Sequence, residues 1–572
     1  MTCDDFIMAS LQTQWLNNVG DLPLLCPLIN TETLSVECFN SLSSGFKDGE
    51  LSTCAPAQYK SIRYDGKVRV FEFPHPLPYF SAIRTFRENW EDVEAFMGSP
   101  QSKLKPGSRD DKERVFVMAG YLSTPDIFLR DGTPYGSPDF DAVASVTMNE
   151  QRTSLVNFEM MGEKIVKLDI ENFFNSIYTH AVEWVINKGR KPLNESSGTS
   201  GAQIDKALRH LRTGRTDGVS IGPLMSNVVA EIILNPVDSF LLSKCRGEGW
   251  FFQRNVDDYE VHVSRSCDTD QLISDVAKVL AKYSLNLNIA KTKVSDYLSY
   301  FEDSIFSKIN SLAPQFSNEL SNLRLRRWSA DLRKAAKANP EYSIVKYGWK
   351  KLSTMVGKEK VDDQAIRSFA LVSWEMTYDH PEIVPGVVQF TLDNWSSIGS
   401  DAVSLDYVTG LLKRSFLVGR TDTVSWLIYY LVCSDYDQEE LATKLETSLV
   451  SLGFLDSGQV ATEELRNTWL SSMVALSLLQ IHAVPNLSTD SHLATLGVRV
   501  AERLGKIFAG GTDPLEDGRT SDWSSSWPVR YQLYFYGHLA DIDLSDIETR
   551  CFPHLKETGF TLIRSSEFWS GN

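Results

Sequence analysis

Three aspartates have the residue type and placement that metal-dependent phosphoryl transfer requires. Asp169 ends the strand-like stretch 163–170, and Asp257 and Asp258 stand together between two β-rich stretches. Carboxylate oxygens are the ligands that Mg2+ prefers, and phosphoryl transfer to a growing strand commonly uses two such ions. Because 88 positions separate Asp169 from Asp257, only a folded sheet can bring these carboxylates together. The three side chains therefore predict a site for two Mg2+ ions, with Mn2+ as an alternative metal.

The sequence around these carboxylates predicts the strands and helices that must position them. The stretch that ends in Asp169 predicts a strand, and residues 250–265 predict a hairpin with the other two aspartates at its tip. Between them, residues 218–234 predict a glycine-containing loop and a helix with Ser226 as its N-cap. Residues 268–285 have the pattern of an amphipathic helix, and strand-like residues follow. This succession predicts an α+β domain with an antiparallel sheet.

The distribution of charge is uneven along the chain. The 572 residues are too many for one core, so we expect two to four domains, and the net charge of -17 at first argues against a nucleic-acid binder. Residues 311–360, however, carry 11 basic and 4 acidic side chains. The aromatic residues among these bases are Trp328, Tyr342, Tyr347 and Trp349. A solvated helix face would explain the bases, but the added aromatic surfaces favour contact with nucleic acid.

Cysteine usage and the N-terminus bear on the compartment. The eight cysteines form no CxxC pair or Cys/His cluster, which argues against structural zinc and fits a reducing cytoplasm. The first ten residues contain two acids and no base, so they do not predict a secretory signal. We find no apolar run of the roughly 18 residues that a membrane span needs. The sequence thus predicts a cytoplasmic protein without a membrane partner.

The region after residue 360 is repeatedly helical in pattern. Asp437 and Glu440 fit a capping box, and Gly453 fits a helix stop. Apolar residues recur at helical spacing in three stripes, which we interpret as core. The stripes are Leu441, Leu445, Leu449 and Leu452; Trp469, Met473, Leu476 and Leu479; and Leu493, Leu496, Val500, Leu504 and Ile507. No fixed-period repeat is visible, but stacked helical hairpins fit the pattern.

Taken together and in this order, the motifs resemble those of reverse transcriptases over residues 60–300. KLDIENFFNSIYTH at 167–180 is similar to the first catalytic motif of that family, and GVSIGPLMSN at 218–227 is similar to the second. NVDDY at 255–259 is similar to the third motif and LNLNIAKTKV at 285–294 to the fourth. The first two motifs look most like those of bacterial defence-associated, abortive-infection reverse transcriptases, which typically carry a helical-repeat C-terminal region.

The resemblance implies a right-hand polymerase fold. Its fingers and palm would be α+β with an antiparallel palm sheet, followed by an all-α, helical-repeat-like C-terminal domain. The domains predicted in this way are an N-terminal extension (1–50), fingers (51–160), a palm with the catalytic carboxylates (161–310), a basic thumb or connector (311–360) and an α-helical, HEAT-like domain (361–572).

Four residues match the catalytic positions of the family. Asp169, Asp257 and Asp258 match its metal-binding carboxylates, with Asp169 and Asp257 as the direct ligands and Asp258 close by. Lys291 matches a lysine that donates a proton to the pyrophosphate leaving group, although a plain surface lysine is the alternative.

Other residues match positions that contact the nucleotide. Phe174, five residues after Asp169, falls where the family keeps an aromatic gate against a ribose 2′-hydroxyl, which implies deoxynucleoside triphosphates as substrates. Gly222 and Ser226 match the second motif, where backbone approaches nucleotide and template. Three cations of the fingers match a triphosphate site, although a solvated strand edge explains them equally: Arg69, Lys60 and Arg63.

Two departures from the family loosen the link to copying of a paired primer and template. Asn255 stands where an aromatic residue is usual, and Ser220-Ile221-Gly222 replaces the frequent Pro-Gln-Gly. Members of the abortive-infection group make DNA without a conventional template, sometimes primed on a protein hydroxyl. Tyr59 is a candidate primer, with an ordinary loop aromatic as the alternative.

The resemblance as a whole implies a DNA polymerase in antiphage defence. Its partners would be deoxynucleoside triphosphates, the nucleic-acid product and an RNA template where one is used. The assembly would be a homo-oligomer, either a trimer or a hexamer. Two other functions stay open at this point: an RNA-synthesising polymerase and an inactive, polymerase-like scaffold that binds nucleic acid.

Overall fold

The structure is a computed structural model of the whole chain. The residues that it describes are 3–12, 39–40, 53–63, 66–97, 116–118, 164–187, 198–248, 251–296, 309, 312, 321–340, 342–358, 362–399, 402–434, 436–452, 455, 492–509 and 523–562. Most of the predicted fingers segment and the predicted stripe at Trp469, Met473, Leu476 and Leu479 lie outside these residues.

The chain divides into two compact units. The first unit comprises Met1–Asn17, Glu32–Pro56 and Glu72–Ser304, and the second comprises Asn18–Thr31, Ala57–Phe71 and Ile305–Asn572. The predicted catalytic carboxylates lie in the first unit. The basic window 311–360 lies in the second unit, together with the helices that follow it.

The described residues are mostly helical, with two small sheets. The described strands are β1 (Ala57–Ile62), β2 (Val68–Phe73), β3 (Phe116–Met118), β4 (Lys164–Asp169), β5 (Phe251–Asn255), β6 (Asp258–Val263) and β7 (Lys293–Asp296). The described helices of the first unit are α1 (Cys3–Gln12), α2 (Pro76–Glu88), α3 (Trp90–Met97), α4 (Phe173–Ser176), α5 (Thr179–Ile186), α6 (Ser200–His210), α7 (Leu224–Glu248) and α8 (Thr269–Ala281).

The second unit is built almost entirely of helices in the part of it that the structure describes. Its α-helices are α9 (Asn322–Ala338), α10 (Ile344–Lys358), α11 (Asp363–Thr377), α12 (Val384–Asp393), α13 (Trp395–Ile398), α14 (Leu405–Leu417), α15 (Thr421–Cys433), α16 (Gln438–Ser451), α17 (His492–Phe508), α18 (Trp527–Phe535) and α19 (Asp546–Glu557). Short 3-10 helices span Pro381–Ile383, Trp523–Ser526 and Asp541–Asp543.

The main sheet of the first unit has the order β3-β5-β6-β4-β7 in the described residues. β4 lies antiparallel to both β6 and β7, and β5 lies antiparallel to β6, as the sequence predicted. β3 pairs in parallel with β5, so the sheet is mixed at that edge. Ile165 and Val166 are adjacent on β4 and therefore face opposite sides, yet both are fully buried. The centre of the sheet is thus covered on both faces.

Helix α7 is the long core helix of the first unit. Most of its apolar side chains are buried, and it contacts α5, α3, α8 and β5. Its window Leu224–Leu241 is long and apolar enough to span a membrane, with mean hydropathy 1.2, which is an exception to our expectation for the sequence. Since 72% of that window is buried inside the protein, a core helix accounts for it.

Two predicted apolar stripes of the second unit lie largely in the core, although Leu452 is half-buried and the side chain of Ile507 lies outside the described part of the structure. Leu441, Leu445 and Leu449 of α16 are buried, and α16 packs against α14 and α17. On α17 the buried stripe residues are Leu493, Leu496, Val500 and Leu504. The Asp437 carboxylate accepts a hydrogen bond from the Glu440 backbone N–H at 2.9 Å, so the predicted N-cap is confirmed. The helical-repeat interpretation stays a prediction.

Candidate active site

Asp169 is held at the end of β4 by hydrogen bonds to its backbone. The Asn288 N–H donates to the Asp169 carbonyl at 2.8 Å, and the Glu171 N–H donates to the Asn286 carbonyl at 2.9 Å. These bonds extend the sheet by a short bridge beyond β4, in which Ile170 pairs with Leu287. Asp169 is 8% exposed. Its backbone is therefore fixed on a covered sheet, and its largely buried carboxylate lies at the end of the strand.

The hairpin β5–β6 brings the other two aspartates to the same place. Asp169 lies opposite Asp258 in the register of β4 with β6, and Asp258 also pairs with Asn255 across the hairpin. The turn consists of Val256 and Asp257. Asp258 is therefore the first residue of β6 rather than part of the tip. The register thus sets Asp258 beside Asp169, and Asp257 is the next residue along the turn.

Lys291 reaches this cluster from the chain that follows α8. Its ammonium donates to Asp169 Oδ2 at 2.7 Å, although the side chain is 59% exposed. The bridge at Leu287 places this segment beside β4. A turn follows, in which the Lys291 N–H donates to the Asn288 carbonyl, and it returns the lysine towards Asp169. The ion pair with Asp169 favours the site residue over the plain surface lysine.

The neighbouring carboxylates perturb the pKa of Asp258. Loss of water around its carboxyl, the neighbouring charge of Asp257 and a hydrogen bond with Asp169 raise the pKa of Asp258 to about 7, while Lys291 acts in the opposite direction. Asp258 is nevertheless an exposed residue. The raised pKa of Asp258 means that its carboxyl is partly protonated near neutral pH, and the protonated carboxyl can donate the hydrogen bond to Asp169.

Removing the Asp258 carboxyl is expected to stabilise the fold in a pH-dependent way. The folded pKa lies above the ordinary value of 3.8, so ionisation disfavours the native state as the pH rises towards 7. Asp258→Asn should raise the thermal midpoint at pH 8 and change it little at pH 4. Melting curves at both pH values check this, with Asp331→Asn on α9 as the control. Equal shifts at both pH values would contradict the interaction.

The chemistry of this donor set fits a hard divalent cation, because its members are carboxylate oxygens. Among the described residues, no group of three or more His, Cys, Asp or Glu side chains is arranged to hold a metal ion as it stands. The ion pair with Lys291 and the bond to Asp258 engage the Asp169 carboxyl. Metal binding would therefore require Asp258 to lose its proton and Lys291 to release Asp169.

The loop of the second motif is tied to the segment that carries Phe174. The Val219 N–H donates to the Phe174 carbonyl at 2.9 Å, and the Gly218 N–H donates to the Ile177 carbonyl at 2.7 Å. Phe174 is half-buried, and its ring centroid lies 5.2 Å from that of Phe173. These bonds fix the candidate gate residue relative to the loop.

The end of the same loop leads into α7. Gly222 has φ +128°, a backbone conformation open to glycine and unfavourable for other residues. Helix α7 begins at Leu224, and the Ser226 N–H donates to the Pro223 carbonyl within its first turn. Ser226 is buried, and its hydroxyl has no hydrogen-bond partner among the residues that the structure describes. The prediction of Ser226 as the N-cap is therefore wrong, because the helix starts two residues earlier.

Gly218 is expected to be intolerant of any side chain. Its φ is +77°, and a Cβ there would lie 2.9 Å from both the Asn175 carbonyl and Arg212 Nη1. Gly218→Ala should cost about 2 kcal/mol or more and lower the thermal midpoint by about 4 °C. Gly198→Ala is the matched control, since nothing lies within 4 Å of its added methyl group. Thermal denaturation of both variants measures the difference, and equal midpoints would contradict the close packing of the loop.

Three predicted nucleotide-binding cations lie in the second unit. Arg69 is exposed on β2, Lys60 is half-buried on β1 and Arg63 follows β1. β1 packs against α15, where the buried Asp422 carboxylate accepts hydrogen bonds from the Ser61 hydroxyl at 2.8 Å and the Ile62 N–H at 2.9 Å. Their role at a triphosphate stays a prediction.

Tyr59 is a buried packing residue in this structure. It is 0% exposed, and its hydroxyl lies 3.3 Å from the Ser425 hydroxyl on α15. A priming hydroxyl must be reached by a nucleotide and a catalytic base. Burial of the Tyr59 ring removes that access, which favours the ordinary packing aromatic over the primer.

In the basic window the two tryptophans are buried, whereas Tyr342 is 37% exposed and Tyr347 is half-buried, so stacking on nucleic acid stays a prediction for the two tyrosines. Trp328 and Trp349 are 3% and 2% exposed and pack against Phe369. They are therefore core residues, and their interpretation as stacking surfaces is wrong. The exposed cations of α9 are Arg324, Arg326, Arg327, Lys334 and Lys337. Arg326 is engaged by Glu375 at 2.7 Å.

A buried ionic network beside the hairpin escaped the sequence analysis. Arg254 of β5 is fully buried and bonds Glu231 and Asp238 of α7, and Asp238 also accepts the Tyr259 hydroxyl. Burial raises the pKa of Asp238 to about 6, although Arg254 acts against the shift. The available signal was a pair of acids seven positions apart in the largely apolar window 224–241 of α7.

Comparison with known proteins adds little to this geometry. No protein-family model matches the chain, and no curated protein matches it. Among solved structures, one match is telomerase from Candida albicans in complex with a TWJ fragment of telomeric RNA. The sequence identity is 10%, the match covers 74% of this chain and 71% of that chain, and the TM-score is 0.28. A TM-score this low does not establish a shared fold.

Proposed function

We propose that the protein is a metal-dependent nucleotidyl transferase of the reverse-transcriptase type that adds deoxynucleotides to a growing strand. The observation that carries this proposal is the register that sets Asp169 opposite Asp258. Asp257 is next along the turn, and the Lys291 ammonium lies 2.7 Å from Asp169. Carboxylates for a cation and a lysine for a leaving group thus meet at one end of one sheet.

The three aspartates have distinct roles in this proposal. Asp169 and Asp257 would hold Mg2+, and Asp258 would join them after losing its proton. Bound Mg2+ supplies the positive charge that activates the attacking 3′-hydroxyl and neutralises the triphosphate. The raised pKa of Asp258, about 7, means that binding is opposed by protons and strengthens as the pH rises.

Lys291 would change partner during the reaction. In the structure its ammonium donates to Asp169. When the Asp169 oxygen serves a cation, the ammonium can turn to the triphosphate and give a proton to the departing pyrophosphate. The 59% exposure of the Lys291 side chain leaves room for that movement.

The loop of the second motif and Phe174 would select the nucleotide. The bond from Val219 to the Phe174 carbonyl holds the aromatic residue beside the loop. In this proposal Gly222 lets the backbone approach the nucleotide, Ser226 lies at the start of the helix behind it, and the Phe174 ring excludes a 2′-hydroxyl. An RNA-synthesising enzyme is the competing function, and the gate residue separates the two.

The wider proposal draws on the resemblance of the motifs. It comprises a right-hand polymerase with fingers and palm, a product strand contacted by the α9 cations, fingers cations at the triphosphate, a homo-oligomer and a role in cytoplasmic antiphage defence. RNA-templated and untemplated synthesis both belong to this proposal.

The experiment is nucleotide incorporation by the purified, full-length protein. Labelled deoxynucleotides and Mg2+ are supplied with an RNA template, with a DNA template or without nucleic acid, and products are separated by size. We expect labelled strands in at least one condition and none with a chelator. A folded preparation that yields no product in any condition, with deoxynucleotides or ribonucleotides, would overturn the proposal and favour the inactive scaffold.

A further inference from the structure

Arg254 is a fully buried guanidinium whose five N–H donors are all used. Nε donates to Asp238 at 3.1 Å, and Nη2 donates to Asp238 at 3.0 Å and to Glu231 at 2.7 Å. Nη1 donates to Glu231 at 3.1 Å and to the Val256 carbonyl at 2.8 Å. The two acids anchor the arginine to helix α7. The remaining donor reaches the turn that carries Asp257.

The turn needs such a contact because its backbone is strained. Val256 has φ +55°, a conformation that suits glycine and is unfavourable for a β-branched residue. Two-residue hairpin turns require a positive φ at this position, so the short connection forces it on the valine. A strained turn is stable only when the contacts around it hold the backbone in that conformation.

The bonded carbonyl belongs to the peptide that joins Val256 to Asp257. This is the central peptide of the turn, and the orientation of its plane distinguishes one turn type from another. A donor fixed on the core can hold that plane in one orientation. The next atoms along the chain are the backbone N and Cα of Asp257. The same hydrogen bond therefore also orients the backbone of Asp257, and with it the direction in which the Asp257 side chain leaves the chain.

We propose that Arg254 is a positioning residue that aims the Asp257 carboxylate at the metal by locking the Val256–Asp257 peptide. This rests on the proposed function, in which Asp257 holds Mg2+. Tyr259 completes the support: it lies opposite Arg254 in the hairpin, and its hydroxyl donates to Asp238 at 2.8 Å. The ionic network thus fixes the tip of the hairpin relative to helix α7.

The test compares Mg2+ affinity in Arg254→Lys and Asp238→Asn by titration calorimetry at pH 8, with thermal midpoints as the measure of stability. Lysine keeps the charge but lacks the planar fork that spans both acids and the carbonyl. We expect Arg254→Lys to weaken Mg2+ binding about tenfold. Asp238→Asn, which keeps the arginine and its bond to Val256, should lower the midpoint with a much smaller change in affinity.

A second variant, in which the buried charges are removed together, provides the test if Arg254→Lys does not fold. Arg254→Met combined with Glu231→Gln and Asp238→Asn removes the buried charges together, a replacement that folded proteins often tolerate. It has no donor for the Val256 carbonyl at position 254, so it should lose Mg2+ affinity about tenfold as well.

The outcomes separate this inference from the proposed function. Wild-type Mg2+ affinity in Arg254→Lys or in the triple variant would overturn the positioning role. An equal loss of affinity in Asp238→Asn would also overturn it, because general loosening would then explain the effect. Mg2+ binding that shows the expected pattern without any nucleotide incorporation would remove the proposed function alone. A wild-type protein that binds no Mg2+ would remove both.

Discussion

Asp257→Asn is expected to reduce nucleotide incorporation by about a thousandfold or more, since losing a charged metal ligand costs several kcal/mol of transition-state stabilisation. The fold should survive. Asp257 lies in a turn and is half-buried, and its charge raises the pKa of Asp258. Removing that charge relieves repulsion between the carboxylates, so the thermal midpoint at pH 8 should stay level or rise.

The control for Asp257→Asn is the same chemical change on helix α8. Asp275 is paired with Lys278 at 2.9 Å on the surface of the first unit, and Asp275→Asn should leave incorporation near the wild-type rate. Rates from gel-resolved products and midpoints from thermal melts are compared for both variants. Retention of more than about a tenth of wild-type activity by Asp257→Asn would remove the ligand assignment.

Phe174→Ala is expected to raise the use of ribonucleotides relative to deoxynucleotides by about tenfold or more, which corresponds to ~1.4 kcal/mol of lost steric discrimination. The bond from Val219 to the Phe174 carbonyl involves backbone atoms, so the substitution removes the ring and keeps the loop in place. The ratio of kcat/KM for matched ribo- and deoxynucleotides measures the effect.

Phe173→Leu is the control for the gate. Phe173 is 3% exposed and contacts the ring of Phe174, so its substitution disturbs the same packing while leaving the candidate gate. We expect its nucleotide ratio to match the wild type. An unchanged ratio in Phe174→Ala would argue against the gate, and a wild-type preference for ribonucleotides would favour the RNA-synthesising function.

The strands of the site were predictable from local patterns. Residues 163–170 have strand character that ends in an acid, and the hairpin carries two acids between β-rich arms. Period-two patterns and turns are local properties, so they can be recognised from the sequence without knowledge of the tertiary structure. The register that sets Asp169 opposite Asp258 is a long-range property. The sequence predicted only that a folded sheet brings these carboxylates together, so the register itself was not predicted.

Two errors show where local signals mislead. Ser226 is a good N-cap by type, but α7 begins at Leu224, after Pro223, because the loop geometry decides the first turn. Trp328 lies three residues after Leu325 and four before Leu332, all buried on one face of α9. That helical spacing indicates core, and the surrounding arginines drew the interpretation towards stacking.

The Arg254 network could not be predicted from the sequence, for a different reason. Glu231 and Asp238 are two charges in the largely apolar window 224–241 of α7, and a sequence shows neither their burial nor their partner. Arg254 lies 23 positions from Glu231 and 16 positions from Asp238. Only the packing of β5 on α7 creates the contact, and only the turn geometry reveals that a fifth donor remains for the Val256 carbonyl.

The most direct test of the central claim is the stoichiometry of pyrophosphate release by the wild-type protein with deoxynucleotides and Mg2+. Phosphoryl transfer at the three aspartates predicts one pyrophosphate for each deoxynucleotide incorporated. Both products should stop when Mg2+ is chelated, and both should be absent in Asp257→Asn. Pyrophosphate release by the Asp257→Asn variant at the wild-type rate, or a folded wild-type protein that releases none from any nucleotide, would contradict the account.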